Sequence, residues 1–406
     1  MGSDSANGTG LAARFEKQCK ALESDVVQVR RHIHRNPELG WHETKTQAFL
    51  ADWLKQRGID STPIAGTGLR VDIGEGTNPV IYRADIDALP ITDTKQPGRA
   101  VCTSQVEGVS HACGHDLHSA IGAGLAAVFH ELGADLPGPV RFIFQPAEEV
   151  LPSGGREVVK QGGVAGGKAA FALHCDPTRD CGTVGVRTGP FTSTADAFDI
   201  TIIGKAGHSA RPHLANDAIL ASAEVVKALY TLLGQRVNPL EPAVINVGMI
   251  SGGTAKNVIS GRVEVEGVLR TLFTDTRERL HKEIRQRCEA AAAQHDCTVD
   301  VRWTFGAPPI VNHATLDGLV TKAARNVLGE PAVHRISLPS TGAEDFGEFS
   351  AALPSYMMRL GVRTPGHPTT HLHTSTFEAD ERAIGYGMRI MGRAVLDAIT
   401  AEITNP

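Results

Sequence analysis

At 406 residues, of which 41% are hydrophobic and 21% charged, the chain has material for two or three domains with sizeable buried cores. A net charge of −5 excludes nucleic acid as the main partner, because no basic excess is there to offset phosphate repulsion. No apolar run approaches the roughly 20 residues that a membrane span requires, so no membrane partner is expected. The opening residues 1–10 lack the basic and apolar regions of a signal peptide and read as a disordered tail. Seven scattered cysteines make a poor disulfide framework and point to a reducing, cytoplasmic setting.

In chain order, apolar residues recur at helical spacing from Leu11 to His34 and from Thr44 to Leu54, with a turn at Asn36-Pro37-Glu38-Leu39-Gly40 between them. Val80 to Ala84 and Val140 to Gln145 are short apolar runs rich in β-formers, read as buried strands. Between them Ser119 to Leu132 reads as a helix, and Phe171-Ala172-Leu173 as a further β-like segment ending at His174. Strands alternating with helices predict a largely parallel sheet with crossover helices. From Thr192 the character changes. Asp196 to Gly204 alternates as a half-exposed strand, and a helix follows over Ala215 to Leu233. Val244 to Ile250 and Val258 to Leu272 read as strands, Thr274 to Gln294 as a helix, and Cys297 to Phe305 as another strand. That order is the split βαβ pattern of a ferredoxin-like unit. The expected organisation is a first domain over 11–191, an inserted domain over 192–305, and a return to the first domain over 306–406. The returning part carries helices at Thr315 to Leu328 and Glu381 to Ile399.

The strongest chemical signal is His111-Ala112-Cys113-Gly114-His115-Asp116-Leu117-His118, just ahead of a helix. Cys113 and His115, one residue apart, can reach a single point, and the glycine between them removes a side chain that would crowd it. Thiolate and imidazole suit zinc, manganese or similar ions. Asp116 and His118 read as residues that orient ligands. Gln145-Pro146-Ala147-Glu148-Glu149 ends a buried strand, where open α/β sheets place their active sites. Two carboxylates at an apolar strand end are costly unless something positive holds them. One glutamate as ligand and the other as general base on a metal-bound water would answer that need. His174, His371-Leu372-His373 and the pair Asp85/Asp87 could each be structural when taken singly. Jointly, they put His, Cys, Asp or Glu at every predicted strand end of the first domain, as a hydrolytic metal site requires.

These residues resemble the dinuclear-metal aminoacylase and carboxypeptidase family, in the amidohydrolase branch that includes hippurate hydrolases and auxin–amino-acid conjugate hydrolases. The motifs that carry the resemblance run nearly end to end. They are Arg31-His32-Ile33-His34-Arg35-Asn36-Pro37-Glu38-Leu39, Arg83-Ala84-Asp85-Ile86-Asp87-Ala88-Leu89-Pro90, and the Cys113/His115 and Glu148/Glu149 blocks. Gly207-His208 with Pro212-His213, and Ala343-Glu344-Asp345-Phe346, complete the set. The resemblance implies an α/β, metallopeptidase-like parallel-sheet catalytic domain with an inserted ferredoxin-like α+β domain for dimerisation and lid closure. It implies two divalent metal ions per subunit (manganese or zinc, with cobalt or nickel also allowed), held by Cys113 as bridge with His115, Glu149, His174 and His373. Glu148 becomes the general base that passes a proton to the leaving amine, with Asp87 behind the ligands. His208 becomes the oxyanion stabiliser, in cis or from a partner subunit, and Asn257 and Arg270 grip the substrate carboxylate. Glu344, read at a helix start, is either an acid behind the site or a partner of the helix dipole.

The implied reaction is hydrolysis of the amide of an N-acyl or N-aroyl amino acid, by an enzyme expected to be a homodimer or a dimer-based oligomer. A dipeptidase or carboxypeptidase, a hydrolytic deaminase of an aromatic or heterocyclic amine, and a metal-binding protein with a degenerate site stay open. Two departures touch the expected substrate pocket. Asn257-Val258-Ile259-Ser260 replaces the usual Asn-Val-Ile-Pro, and His373-Thr374-Ser375 replaces a frequent His-Ser-Pro.

Overall fold

The computed structural model describes residues 4–95 and 102–404. Residues 4–10, expected to be a tail, open helix α1 (Asp4–Arg35), while residues 1–3 lie outside the described residues. The chain then forms α2 (Thr44–Lys55), β1 (Thr62–Ile64), β2 (Gly68–Ile73), β3 (Val80–Asp85), α3 (His115–Leu132), β4 (Val140–Gln145), α4 (Gly154–Lys160), β5 (Ala169–Asp180) and β6 (Val184–Val186). Next come β7 (Asp196–Ile203), β8 (Gly207–His208), α5 (Ala218–Arg236), β9 (Ala243–Gly252), β10 (Val258–Ile259), β11 (Arg262–Thr271), α6 (Thr274–Ala293) and β12 (Thr298–Thr304). The last stretch holds β13 (Val311–Asn312), α7 (Ala314–Leu328), β14 (Val333–Arg335), α8 (Gly347–Ala352), β15 (Ser355–Arg363) and α9 (Arg382–Thr400). No helix of the described residues is long and apolar enough to cross a membrane.

The contacts divide into two compact units: Met1–Gly189 with Ile310–Leu338 and Asp345–Pro406, and Pro190–Pro309 with Pro339–Glu344. Pro339–Glu344 groups with the second unit because Ser340 N–H donates to Phe191 O, Ser193 N–H to Gly342 O, and Arg270 to Thr341 O.

In the first unit the strand order is β1-β2-β4-β3-β5-β15-β13. The centre is parallel, with β3 flanked by β4 and β5, and β15 beside β5. β1 and β2 add an antiparallel edge. Every residue of β3 and β4 is buried, as the continuous apolar runs predict for strands covered on both faces. One expectation changes. β5 does not end at His174 but continues to Asp180, because its ladder with β15 runs on through Leu360↔Cys175 and Arg363↔Asp180.

The second unit holds a four-stranded antiparallel sheet in the order β9-β11-β7-β12, with α5 and α6 packed on it through Val225, Leu229, Leu280 and Ile284. Numbered by chain position that order is 2-3-1-4, the ferredoxin-like arrangement. α5 begins three residues later than its pattern suggested, where Asp217 caps it by accepting from Ile219 N–H at 2.9 Å. The strand read over Val258 to Leu272 is interrupted: Val258–Ile259 pairs with Gly207–His208, and the main sheet resumes at Arg262. The break falls at Ser260-Gly261, where Ser260 O accepts from Ala218 N–H.

Candidate metal centre

The site is built at the C-terminal ends of β3 and β4 and the N-terminus of α3. Val80↔Ala169 and Tyr82↔Phe171 set the register of β3 against β5. Continued along both strands, it brings His174 level with Asp85, although β5 itself goes on. Cys113 and His115 flank Gly114, whose φ of +86° is the left-handed conformation that starts α3. A Cβ there would lie 2.7 Å from Cys175 Sγ, so the glycine is needed for space as well as for its dihedral angles.

Cys113 Sγ lies 3.5 Å from His174 Nε2. His174 Nδ1 donates to Cys175 O at 2.8 Å, which leaves Nε2 as the lone-pair nitrogen facing the thiol. His115 is fixed in the same way. Its Nδ1 donates to Asp87, at 3.0 Å to the carbonyl oxygen and 3.1 Å to Oδ1. The other Asp87 oxygen accepts from Glu149 N–H at 3.0 Å, so one carboxylate orients both an imidazole and the glutamate loop. His115 Nε2 is buried and makes no hydrogen bond. Oxygens of Asp85, Glu148 and Glu149 stand 3.8, 4.0 and 3.9 Å from it. His373 Nε2 meets Glu149 Oε1 at 3.0 Å, and His373 N–H donates to Ala112 O, tying that loop to the Cys113 turn.

This donor set fits divalent cations. A zinc–sulfur bond of about 2.3 Å and a zinc–nitrogen bond of about 2.0 Å at a tetrahedral angle separate the two donors by about 3.5 Å. That is the Cys113–His174 spacing. The carboxylate oxygens near 4 Å from His115 Nε2 are too distant for hydrogen bonding and leave that nitrogen beside a cluster of negative charge. Within the first unit, four three-residue groups among the described residues have donor atoms within 4.8 Å of one another: Cys113/His115/His174, Cys113/Glu149/His373, His115/Glu148/Glu149 and Asp85/His115/His118, and Cys113 is common to the first two. Charge agrees. Burial alone would lower the His115 pKa, but Asp85, Asp87 and Glu149 overcome it and push it up to about 10. The surroundings of that ring favour positive charge, which a metal ion supplies. Burial, with Glu149 and Glu148, pushes the Cys113 thiol well up, and ligation is what would make it a thiolate there.

His118 stands apart from this donor role. Its Nδ1 donates to Asp85 Oδ1 at 2.7 Å, and its Nε2 accepts from Cys175 N–H at 2.9 Å, so both nitrogens are engaged as a strut between β3 and β5. Asp116 faces away, toward Arg30 Nε and His34 Nδ1 at 2.7 and 2.8 Å. His208, Asn257 and Arg270 lie in the second unit. There His208 sits on β8 with its Nδ1 accepting from Ala210 N–H, and Asn257 O accepts from Ser209 N–H. Arg270 donates to Thr341 O at 2.9 Å. Glu344 is buried in the second unit and precedes α8 by three residues, so it does not start a helix. The two departures are absorbed locally: Ser260 Oγ donates to Arg262 O at 2.7 Å, and Ser375 Oγ accepts from Thr94 Oγ1 at 2.7 Å.

Sequence reasoning gave no role to the layer beneath the site. Arg83, fully buried on β3, donates to Gln145 Oε1 at 2.9 Å, Asp85 Oδ2 at 2.6 Å and Asp345 Oδ1 at 2.6 Å. Although burial opposes it, His115, His118 and Arg83 hold the Asp85 carboxyl well below its ordinary range. A charged residue inside an otherwise apolar strand was the available signal. Glu43, also buried, accepts from Ala147 N–H at 2.7 Å, and no local pattern after the turn at 36–40 marks it.

A family model described as Peptidase family M20/M25/M40 matches residues 81–397. The chain belongs to that family. The match takes in the Cys113, Glu148/Glu149, His174 and His373 positions. An N-acetyl-L-cysteine deacetylase of Bacillus subtilis is 38% identical over 369 residues, covering 89% of this chain and 85% of that protein. An IAA-amino acid hydrolase of Arabidopsis thaliana is 34% identical over 373 residues, covering 90% and 83%. Among solved structures, a dinuclear metal-binding peptidase from the M20 family of B. subtilis superposes with a TM-score of 0.80 at 30% identity, covering 94% of this chain and 99% of that one. The M20 relationship supports divalent metal ions as the cofactor of the chain.

Proposed function

We propose that this M20 protein is a metal-dependent amidohydrolase that cleaves the amide of an N-acyl or N-aroyl amino acid. The observation that carries the reading is His115 Nε2, buried without a hydrogen bond and ringed by carboxylate oxygens at 3.8 to 4.0 Å. Relatives named as a deacetylase of N-acetyl-L-cysteine and a hydrolase of IAA–amino acids give the substrate class.

Cys113, His115, Glu149, His174 and His373 would hold two divalent ions, Cys113 belonging to two of the donor groups. Zinc and manganese both suit this mixture of thiolate, imidazole and carboxylate, and cobalt and nickel are also admitted. When bound, the ions supply Lewis-acid polarisation of the scissile carbonyl and acidify water held at the site. Glu148 takes the proton from the attacking water and delivers it to the departing amine nitrogen. Asp87 keeps His115 in the tautomer whose Nε2 faces the site. His208 stabilises the oxyanion, and Asn257 and Arg270 receive the substrate carboxylate, for which the planar guanidinium fork is suited.

The chain acts as a homodimer. In the second unit β9 is an edge strand of its sheet, and Val244, Met249 and Ile250 along it are exposed, an edge that pairing with a second copy would cover. Seven free thiols agree with a cytoplasmic location.

The test is primary-amine release from a panel of N-acyl and N-aroyl amino acids, with protein stripped of metal and reloaded with manganese or zinc. Metal-dependent release is expected. Glu148→Gln should keep both metals while losing about a hundred- to ten-thousandfold in turnover. Silence across the panel with two metals bound would refute the reading.

A further inference from the structure

Residues 38–43, between α1 and α2, do more than reverse the chain. Glu38 O accepts from Ala88 N–H at 2.8 Å, and Leu39 forms a bridge with Ala88, so the segment is fastened to the exit of β3 one residue beyond Asp87. Its other end is fastened to the loop that carries the glutamate pair. Glu43 Oε1 accepts from Ala147 N–H at 2.7 Å, and Trp41 Nε1 donates to Pro152 O at 3.0 Å. Gly40 approaches so closely that a Cβ there would lie 2.8 Å from Val150 Cγ2. The loop itself is closed by Gly154 N–H donating to Ala147 O at 2.9 Å.

Ala147 has φ +51°, a left-handed conformation that alanine adopts only when its surroundings impose it. Its backbone angles set the direction in which Glu148 and Glu149 leave the chain. The one carboxylate on its N–H belongs to Glu43, which is wholly buried and whose second oxygen accepts from Thr67 Oγ1 at 2.5 Å. A buried carboxylate is costly unless its hydrogen bonds are made, and both of these are. Burial still raises the Glu43 pKa in spite of the Thr67 and Ala147 hydrogen bonds. A group retained at that cost, on the one amide preceding the glutamate pair, fits a role in placing that pair.

We infer that Glu43 is a positioning residue for Glu148 and Glu149, acting through the Ala147 amide. The inference rests on the reading of those glutamates as base and metal ligand. It is tested on the full chain with Glu43→Leu, Glu43→Gln, Glu43→Asp and Thr67→Val. The measurements are manganese affinity by chelator competition without substrate, kcat and KM on the most active N-acyl amino acid of the panel, and the thermal midpoint.

Glu43→Leu should weaken manganese binding about tenfold or more and lower kcat about thirtyfold with KM little changed, as loss of a residue that orients a ligand does. Glu43→Gln, whose amide oxygen can still accept from Ala147 N–H, should retain both within about threefold. Thr67→Val removes the other bond of Glu43 and should lower the midpoint while sparing affinity and kcat. If Glu43→Leu fails to fold, Glu43→Asp decides: it keeps the charge but falls one methylene short, and must show the same losses. Unchanged affinity and kcat in the variant that folds, or losses in Thr67→Val equal to those of Glu43→Leu, would overturn the inference. If the wild-type protein releases no amine from any panel member, the functional reading fails, while the manganese affinities still decide the role of Glu43.

Discussion

Asp87 gives the sharpest test of the geometry, because one carboxylate there serves two donors. Oδ1 accepts from His115 Nδ1–H at 3.1 Å and Oδ2 from Glu149 N–H at 3.0 Å. Asp87→Asn keeps the shape but replaces one oxygen by an NH2 group, and both orientations are unfavourable. With the NH2 toward Glu149, two N–H groups oppose each other in a buried place, which costs about 1–3 kcal/mol. With the NH2 toward His115, it opposes the Nδ1–H that the Asp87 carbonyl oxygen still holds at 3.0 Å, and relieving that clash would need the tautomer whose Nε2 carries a proton that bars it from a metal. Either way the loss amounts to about 1.4–2.8 kcal/mol, a ten- to hundredfold fall in metal affinity, the range seen when a residue behind a metal ligand is removed. Competition with a chelator at neutral pH measures this directly, and nitrogen NMR of His115 in the zinc-loaded protein reports which ring nitrogen keeps its proton. An Asp87→Asn protein that binds both metals as tightly as the wild type would show that Asp87 does not set the orientation of His115.

Two further consequences can be measured. Gly114→Ala should destabilise the protein by about 2–5 kcal/mol in a denaturant titration, combining the left-handed penalty with overpacking against Cys175. Gly108→Ala is the control, since Gly108 has φ +74° with nothing within 4 Å of its Cβ position and should cost only about 1–2 kcal/mol; equal effects would refute the packing half of the account. In the second unit burial disfavours ionised Asp196, but hydrogen bonds from His281 and Arg277 prevail and hold its pKa below the ordinary value. A carboxylate depressed in the folded state adds stability above its unfolded pKa and loses it as pH falls through the folded one. Calorimetry should therefore show stability falling below about pH 4, with a shallower slope in Asp196→Asn; parallel slopes would remove Asp196 from the acid response.

How far the sequence carried depended on whether a feature was local. β3 and β4 were legible because strands buried on both faces are spelled as unbroken apolar runs, and Cys113-Gly114-His115 was legible because its donors are one residue apart. His174 was read as ending its β-like segment, and the residues Asp176-Pro177-Thr178-Arg179-Asp180 beyond Cys175 hold no apolar pattern that would extend it. They remain in a strand only because β15 lies alongside, a partner some 185 residues distant in the chain by the pairing of Cys175 with Leu360. The break at Ser260 was hidden for a related reason, since it depends on an approach by Ala218 that no local pattern records.

Arg83 shows where the two kinds of information meet. Its presence inside a run of otherwise apolar residues states that anions must converge there, since a lone buried guanidinium is not sustainable. The partners are Asp85, two residues on, and Asp345, 262 residues on, and only the fold reveals the second. Asp345 in turn accepts from Gly155 N–H at 2.7 Å and from Gln145 Nε2 at 2.8 Å, at the two ends of the segment that bears Glu148 and Glu149. The same loop is also held by Glu43, at Ala147 N–H, and by Asp87, at Glu149 N–H. Three carboxylates outside the proposed ligand set thus fix the backbone of the two glutamates proposed to act at the site. The rigidity that a metal centre needs is supplied by hydrogen bonds to main-chain amides, and main-chain amides carry no residue identity for a sequence to display.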